Sequence, residues 1–158
     1  PMGEHHPPST PEEAQRLAER VAADMNLRDR ATNALGIRVG SCGPGRADLT
    51  MTVRGDMLNG HAICHGGFIF TLADSAFAYA CNSYNLVTVA SGCSIDFLAP
   101  AREGDVLTAR GVERSASGRT GVYDIEVFNQ RGEKIALFRG KSYRIKGHVI
   151  QNPETRLE

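Results

Sequence analysis

The chain has 158 residues, enough for one domain with a real core, and its 18 basic residues balance 18 acidic ones. This balance argues against a nucleic-acid binder, which usually carries a basic excess. No apolar run reaches the roughly 18 residues needed to span a bilayer, and residues 1–11 contain no apolar signal-peptide core. We therefore expect a soluble cytoplasmic protein without nucleic-acid or membrane partners.

A helix is predicted first, from about Pro11 to Met25. Thr10 can cap it, Pro11 suits the first helical position and Glu13 completes a capping box. An apolar stripe at three-and-four spacing follows, formed by Ala14, Leu17, Ala18, Val21 and Met25. Residues 1–10 before this helix are polar and rich in proline, which predicts a flexible amino-terminal segment.

Strands dominate the rest of the chain. A hairpin is predicted from residues 37–39 and 47–53, which alternate around the turn Gly43-Pro44-Gly45. Further strands are predicted at residues 87–97, 106–112, 120–129 and 134–144, with a loop at 115–118. Short links between these four strands predict an antiparallel meander. The domain is expected to cover residues 11–146, and residues 147–158 to form a polar tail.

The segment Gly66–Tyr84 is apolar on every side and has the length of a helix rather than a strand. A helix of this kind must be buried all round. One long central helix inside a curved antiparallel sheet is the hotdog arrangement, so we predict an α+β hotdog fold with an extra N-terminal helix. Its sheet leaves one side of the helix uncovered, and a second copy of the chain normally covers that side.

Asp74 is the only charged residue in this apolar helix. Burial of an unpaired carboxylate costs several kcal/mol and raises its pKa, as at many catalytic bases and nucleophiles. The plainer alternative is an aspartate that is hydrogen-bonded to a nearby Ser, Thr or backbone amide. The start of the helix favours the catalytic interpretation.

That start reads His65-Gly66-Gly67. The first amides of a helix have no internal partners, and glycines let a ligand approach them closely. Such amides can polarise a carbonyl and hold the oxyanion formed when it is attacked, although a Gly-Gly pair often marks only a tight turn. Eight positions separate Gly66 from Asp74, which is about 12 Å along a helix. One helix cannot bring both groups to one carbonyl, so the spacing predicts a dimer with two shared sites.

The motif Asn59-Gly60-x-x-x-x-His65-Gly66-Gly67-x-x-x-x-Leu72-Ala73-Asp74 resembles the signature of acyl-CoA thioesterases of the phenylacetic acid degradation type. The resemblance extends from about Val21 to Lys146. It implies hydrolysis of phenylacetyl-CoA, or of a ring-hydroxylated relative, to the free acid and CoA. It further implies a homotetramer that is built as a dimer of dimers. Coenzyme A would then be part of the substrate and not a separate cofactor.

The same resemblance implies roles for individual residues. Asp74 would act as nucleophile or general base, the Gly66 amide would polarise the thioester carbonyl, and His65 and Asn59 would arrange the pocket or the attacking water. Asn59 could equally cap a loop, and His65 could hold the entry of the helix. Gly67, Gly118 and Arg119 are candidates for binding the substrate and its CoA phosphates, while exposed Arg residues are often only solvated.

No metal or redox cofactor is expected. His61 and His65 have one acidic neighbour, Asp74, and the cysteines are scattered without a C-x-x-C pair. Free and mostly buried thiols in a reducing compartment are predicted for Cys42, Cys64, Cys81 and Cys93.

Two other functions are compatible with the motif. A hotdog hydratase-dehydratase would use His65 and Asp74 for proton transfer at carbons next to the thioester, although the spacing from Gly-Gly to Asp fits the thioesterase signature better. A non-catalytic acyl-CoA sensor would keep the pocket and the dimer while dispensing with the acid. The presence of Asp74 counts against the sensor.

Overall fold

The computed structural model describes residues 6–151, so the predictions for residues 1–5 and 152–158 lie outside it. Helices α1 (Pro11–Arg28), α2 (Arg30–Ala34) and α3 (Gly66–Cys81) accompany a 3₁₀ turn at Gly55–Met57. The strands are β1 (Arg38–Gly43), β2 (Arg46–Thr52), β3 (Leu86–Phe97), β4 (Val106–Ser117), β5 (Thr120–Phe128) and β6 (Lys134–His148). Among the described helices, none is long and apolar enough to cross a membrane.

Helix α1 begins as the sequence predicts. Thr10 Oγ1 accepts a hydrogen bond from the Glu13 amide at 3.1 Å, and the Glu13 carboxylate accepts from the Ser9 amide and hydroxyl at 2.9 Å each. These bonds tie residues 9 and 10 of the predicted flexible segment to the helix. The helix continues three residues beyond the predicted Met25, to Arg28, which pairs with Asp24 one turn earlier. It packs against β1 and buries Leu17, Ala18 and Val21 of the predicted apolar stripe, whereas Ala14 and Met25 are only partly buried.

All six strands form one antiparallel sheet in the order β1-β2-β4-β5-β6-β3. The β1–β2 hairpin is therefore confirmed, whereas the predicted four-strand meander is wrong at its first member. Strand β3 pairs with β6 at the far edge of the sheet instead of with β4. Residues 98–105 make this possible, because eight extended residues reach about 26 Å and three strand spacings measure only about 14 Å.

Two further element ends differ from the sequence interpretation. Strand β4 runs through the predicted loop at 115–118 as far as Ser117, with a bulge between Glu113 and Ser115 that absorbs the change of register. Helix α3 ends at Cys81 rather than near Tyr84, and Asn82 caps it. Because local hydrogen bonds at caps and bulges decide these ends, the apolar pattern alone does not place them.

The carboxyl end of the described chain is held in place beyond residue 146. Strand β6 continues to His148, and the buried Asn85 then binds the backbone of the next two residues. Its carbonyl accepts from the Val149 amide, and its side chain both donates to and accepts from the backbone of Ile150, at 3.0 and 2.8 Å. Asn85 has φ = 66°, in the left-handed region that asparagine tolerates. Residues 147–150, for which the sequence predicts a polar tail, are thus part of the packed structure.

The sheet curves around α3, whose apolar side chains fill the core. Leu72, Ala73, Ala76 and Ala80 are wholly buried, and the helix packs mainly against β2, β4 and β5. Phe77 packs against Gly140, where an added Cβ would meet its ring at 2.7 Å. The sheet covers the helix incompletely, because Asp74 and Ala78 remain only partly buried and most of β3 is exposed. The α+β arrangement of one central helix inside an antiparallel sheet is confirmed.

Candidate active site

The loop that leads into α3 is fixed by backbone hydrogen bonds at both of its ends. A short bridge pairs Leu58 with Cys64, and the Cys64 amide donates to the Ala101 carbonyl at 2.8 Å. The His65 amide donates to the Met57 carbonyl, also at 2.8 Å. The amino end of α3 is therefore held against the 3₁₀ turn and the segment that follows β3.

His65 occupies the N-cap position of α3. Its Nδ1 accepts a hydrogen bond from the Gly67 amide at 2.9 Å, and its carbonyl accepts from the Phe68 amide at 3.0 Å. Because Nδ1 is an acceptor, the neutral ring carries its proton on Nε2. This geometry matches the alternative in which His65 holds the helix entry.

Gly66 is the first residue of α3, and its amide has no hydrogen-bond partner within residues 6–151. The amides on either side are both engaged, since His65 donates to Met57 and Gly67 donates to His65. The Gly66 N–H is thus the donor left open at the positive end of the helix dipole. Gly67 has no free amide, because its N–H is bonded to His65, but it also places no side chain beside the Gly66 N–H.

Asp74 lies near the middle of α3, and its side chain is partly buried. Desolvation by burial raises the pKa of its carboxyl group above the ordinary value. No hydrogen bond or ion pair to Asp74 is present among the described residues. The nearest hydroxyls on the helix are used elsewhere, because Thr71 donates to the Gly67 carbonyl at 2.9 Å and Ser75 donates to the Thr71 carbonyl at 2.6 Å.

The carboxylate of Asp74 therefore lacks the Ser or Thr partner that a purely structural aspartate would have. It lies close enough to the thiols of Cys81 and Cys93 for its charge to contribute to raising the pKa of both. Cys93 lies on β3, so Asp74 faces the exposed edge of the sheet rather than the core. An unpaired carboxylate on this open side can act as a base or nucleophile toward a bound ligand.

Asn59 uses part of its side chain to shape the loop. Its Oδ1 accepts from the His61 amide at 2.9 Å and from the Ile63 amide at 3.4 Å, as expected for a loop cap. Ala62 adopts φ = 59° in the same loop. The side-chain NH₂ of Asn59 makes no hydrogen bond within the described chain, so it stays available as a donor near the helix entry.

Gly118 and Arg119 lie far from these groups in one chain. They form the β4–β5 turn, where Gly118 has φ = 59° and the Arg119 carbonyl accepts from the Arg144 amide at 2.7 Å. The turn borders a small cavity of about 40 Å³ that Cys81 also lines, at the carboxyl end of α3. Gly66 stands at the opposite end of this 16-residue helix, about 22 Å away. Within a single chain, Gly67 adjoins the Gly66 amide, whereas the other two predicted CoA-binding residues, Gly118 and Arg119, do not reach it.

A polar cluster that the sequence interpretation missed closes the carboxyl end of α3. Glu113 Oε1 accepts hydrogen bonds from the hydroxyls of Tyr84 and Tyr123, each at 3.0 Å. Burial, followed by the hydrogen bond to Glu113, raises the pKa of Tyr84 to about 12. The three residues are remote in sequence, and only the pairing of β4 with β5 brings Glu113 opposite Tyr123.

Within residues 6–151, no group of three or more His, Cys, Asp or Glu side chains is placed to hold a metal ion. Two arginines of the sheet, Arg114 on β4 and Arg139 on β6, are engaged in ion pairs with Asp124. Arg114 donates to Asp124 at 3.1 Å, and Asp124 further accepts from Arg139 at 2.7 and 2.9 Å.

Comparison with known proteins identifies the family. A family model described as the thioesterase superfamily matches residues 61–136. The acyl-coenzyme A thioesterase PaaI of Escherichia coli K12 is 56% identical over 125 residues, which make up 79% of this chain and 89% of that protein. The chain belongs to the PaaI-type acyl-CoA thioesterases.

Solved structures agree with this assignment. The E. coli PaaI protein from the phenylacetic acid degradation operon superposes on this thioesterase with a TM-score of 0.85 at 52% identity, covering 85% of this chain and 98% of that one. An N33D mutant of the phenylacetic acid degradation protein PaaI from Thermus thermophilus gives a TM-score of 0.72 at 41% identity, covering 74% and 100%. The predicted hotdog fold and the predicted thioesterase activity are confirmed.

Proposed function

We propose that this thioesterase hydrolyses phenylacetyl-CoA, or a ring-hydroxylated phenylacetyl-CoA, to the free acid and CoA during phenylacetate catabolism. The observation that carries the proposal is the pair of unpartnered groups on α3, the Gly66 amide and the Asp74 carboxylate, in a chain 56% identical to an acyl-CoA thioesterase. The aromatic acyl group follows the likeness to PaaI proteins of phenylacetic acid degradation.

The proposed mechanism uses these two groups on opposite sides of one thioester. The Gly66 N–H holds the carbonyl oxygen and then the oxyanion that develops on it. Asp74, in its ionised form, either attacks the carbonyl carbon or removes a proton from the attacking water. His65 keeps the helix entry in place, and the free NH₂ of Asn59 orients the water or the substrate. The C–S bond then breaks, and coenzyme A leaves as the thiolate and takes up the proton that the attacking water releases. If Asp74 itself attacks, this water hydrolyses the acyl-aspartate anhydride and regenerates the carboxylate.

Each site draws on two subunits in this proposal. Gly66 and Asp74 of one chain are about 12 Å apart along the helix, too far to reach one carbonyl. Strand β3 supports a dimer, because it is a 12-residue edge strand with exposed apolar residues such as Val89. Unprotected edges of this kind pair readily with another strand. A second copy paired there would place its α3 beside the open side of Asp74.

A dimer of dimers completes the proposed assembly. Exposed apolar side chains on the outer part of the sheet support further association, namely Val106, Val112, Leu137 and Tyr143.

The dimer also gives a role to the β4–β5 turn. Gly118 and Arg119 lie near the carboxyl end of α3, and an antiparallel partner helix would bring its Gly66 toward that end. Arg119, whose side chain is exposed, would then meet the CoA phosphates.

Release of free thiol from a panel of CoA esters tests the proposed function. Burial of the phenyl ring predicts that kcat/KM for phenylacetyl-CoA exceeds that for acetyl-CoA by at least about tenfold. Hydration of an enoyl-CoA is followed in parallel to test the hydratase alternative. A preference for acetyl-CoA or for long alkyl chains would contradict the aromatic substrate while leaving the thioesterase assignment in place.

A further inference from the structure

Phe97, the last residue of β3, has its ring directly against Gly66. A Cβ placed on Gly66 would lie 2.9 Å from Cζ of this ring and 3.2 and 3.4 Å from its two Cε atoms. Phe97 follows Ile95 on the inner face of the strand, the face that packs toward α3. The glycine is therefore needed for two reasons, since it exposes an amide and also makes room for an aromatic ring.

The ring of Phe97 is also open on its other side. The residue is 52% exposed in the described chain, among the highest values for a large apolar side chain there. Within residues 6–151 it forms no ring pair with another aromatic residue, whereas Phe70 and Phe77 both pair with Phe138 in the core. An aromatic side chain that is fixed on one face and unpartnered on the other, beside an open amide, is suited to contact a ligand.

The position of the ring is set relative to the proposed oxyanion donor. A carbonyl oxygen bound to the Gly66 amide lies about 2.9 Å from its nitrogen, so the substituents of that carbonyl lie within a few ångströms of the Phe97 ring. The pantetheine side of the thioester has no ring, while a phenylacetyl group has one. Offset or edge-to-face pairing favours the aromatic substituent over an aliphatic one.

We propose that Phe97 is a specificity-determining residue that pairs with the aromatic ring of the acyl group held at the Gly66 amide. The inference rests on the proposed function, because it takes Gly66 as the carbonyl donor and an arylacetyl group as the substrate. It adds the residue that selects the aryl group. Asp74 and Gly66 act on the thioester itself, which acetyl-CoA shares, and therefore do not distinguish the two substrates.

The test is the ratio of kcat/KM for phenylacetyl-CoA to that for acetyl-CoA in purified variants. Phe97→Leu keeps an apolar side chain but removes the ring, and the ratio is expected to fall about three- to tenfold, the range of an aromatic pair. Phe97→Tyr keeps the ring and should retain the wild-type ratio. Cyclohexylacetyl-CoA has a similar shape without π electrons, so its ratio to acetyl-CoA should change much less in Phe97→Leu.

Phe128→Leu is the matched control. Phe128 is a partly buried aromatic residue at the end of β5, where Arg110 and Lys134 lie over its ring at 5.8 and 5.9 Å from the centroid. Its replacement should leave the substrate ratio unchanged. Thermal unfolding and gel filtration of each variant establish that the fold and the assembly are intact.

Equal losses for both substrates in Phe97→Leu, or an unchanged ratio, would overturn the role of Phe97. If Phe97→Leu fails to fold, the Phe97→Tyr variant and the cyclohexylacetyl comparison in the wild type decide, and a wild type that prefers cyclohexylacetyl-CoA contradicts aromatic pairing. A wild-type protein that releases no thiol from phenylacetyl-CoA would instead contradict the proposed function. The two failures are therefore distinguishable.

Discussion

The two ends of helix α3 differ in how completely their polar groups are satisfied. At the carboxyl end, Asn82 exchanges hydrogen bonds with Thr88 of β3 at 2.9 and 3.0 Å, and Glu113 accepts from two tyrosines. Toward the amino end and the middle, the Gly66 amide and the Asp74 carboxylate have no partner in the described chain. Buried polar groups are normally paired, so the unpaired ones indicate where a ligand completes the structure.

The largest expected effect comes from Asp74→Asn. The change is nearly isosteric and removes the proposed base or nucleophile, so turnover should fall by about 100-fold or more. Acyl-CoA binding and the fold should persist. Steady-state thiol release measures the loss, and Asp96→Asn, an exposed aspartate on β3, serves as the matched control. Near-wild-type hydrolysis by Asp74→Asn would contradict the proposed mechanism.

A mixture of two inactive variants tests whether the open ends of two helices share a site. Asp74→Asn and Gly66→Val are purified separately and then allowed to exchange subunits. Half of the dimers in an equal mixture are hybrids with one intact site of two, so about a quarter of wild-type activity should return. Absence of recovery, after labelled subunits prove that exchange occurred, would refute the shared site.

The pH dependence of the reaction follows from the raised pKa of Asp74. The ionised carboxylate is the active form, so log kcat/KM should rise with pH until that raised pKa is passed. The acidic limb is expected at higher pH than an ordinary aspartate would give. A profile that stays flat down to about pH 4, the usual range of an aspartate, would show that Asp74 is not the titrating group.

The same shift has a consequence for stability. The folded protein holds the Asp74 proton more tightly than the unfolded chain does, so this group stabilises the fold at low pH and loses that contribution as pH rises through the raised pKa. At neutral pH, Asp74→Asn should therefore unfold at the same temperature as the wild type or slightly higher. Thermal unfolding at pH 7 measures this difference, and a clear loss of stability in Asp74→Asn would contradict the absence of a stabilising partner for the Asp74 carboxylate.

The smallest effect is expected at that satisfied end. Tyr123→Phe removes one of the two hydrogen bonds to Glu113 from a nearly buried residue. The free energy of unfolding should fall by about 1 kcal/mol, the usual net value of one hydrogen bond, while kcat/KM stays unchanged. Urea denaturation and thiol release measure the two quantities. A large loss of activity with normal stability would move the active region toward the carboxyl end of α3.

Much of the fold was predictable because apolar periodicity reports burial directly. The central helix, the amino-terminal helix and the β1–β2 hairpin all follow from such patterns. The position of β3 did not, because its alternation says that it is a strand without saying which neighbour it pairs with. The ends at Ser117 and Cys81 depend on a bulge and a cap that the apolar pattern does not encode.

The residues of the candidate site also fall into two groups, those that the sequence alone could single out and those that only the folded structure brings together. Asp74 and Gly66 could be singled out from one short segment, because a lone charge and paired glycines are conspicuous in an apolar helix. Phe97 could not, because its meeting with Gly66 depends on where β3 ends relative to the start of α3. The hydrogen bond from the Gly67 amide to His65, which leaves the Gly66 amide open, likewise could not be predicted from the sequence.

The four cysteines of this chain, which are free as predicted, matter for an enzyme whose product is itself a thiol. Burial raises the pKa of Cys64 to about 11 and of Cys81 to about 12, and it raises the pKa of Cys42 and Cys93 as well. Thiol–disulfide exchange proceeds through the thiolate, and at neutral pH these groups are almost wholly protonated. Exchange of the protein's own sulfurs with coenzyme A disulfides is therefore slowed by the raised pKa, and burial further shields Cys42, Cys64 and Cys81.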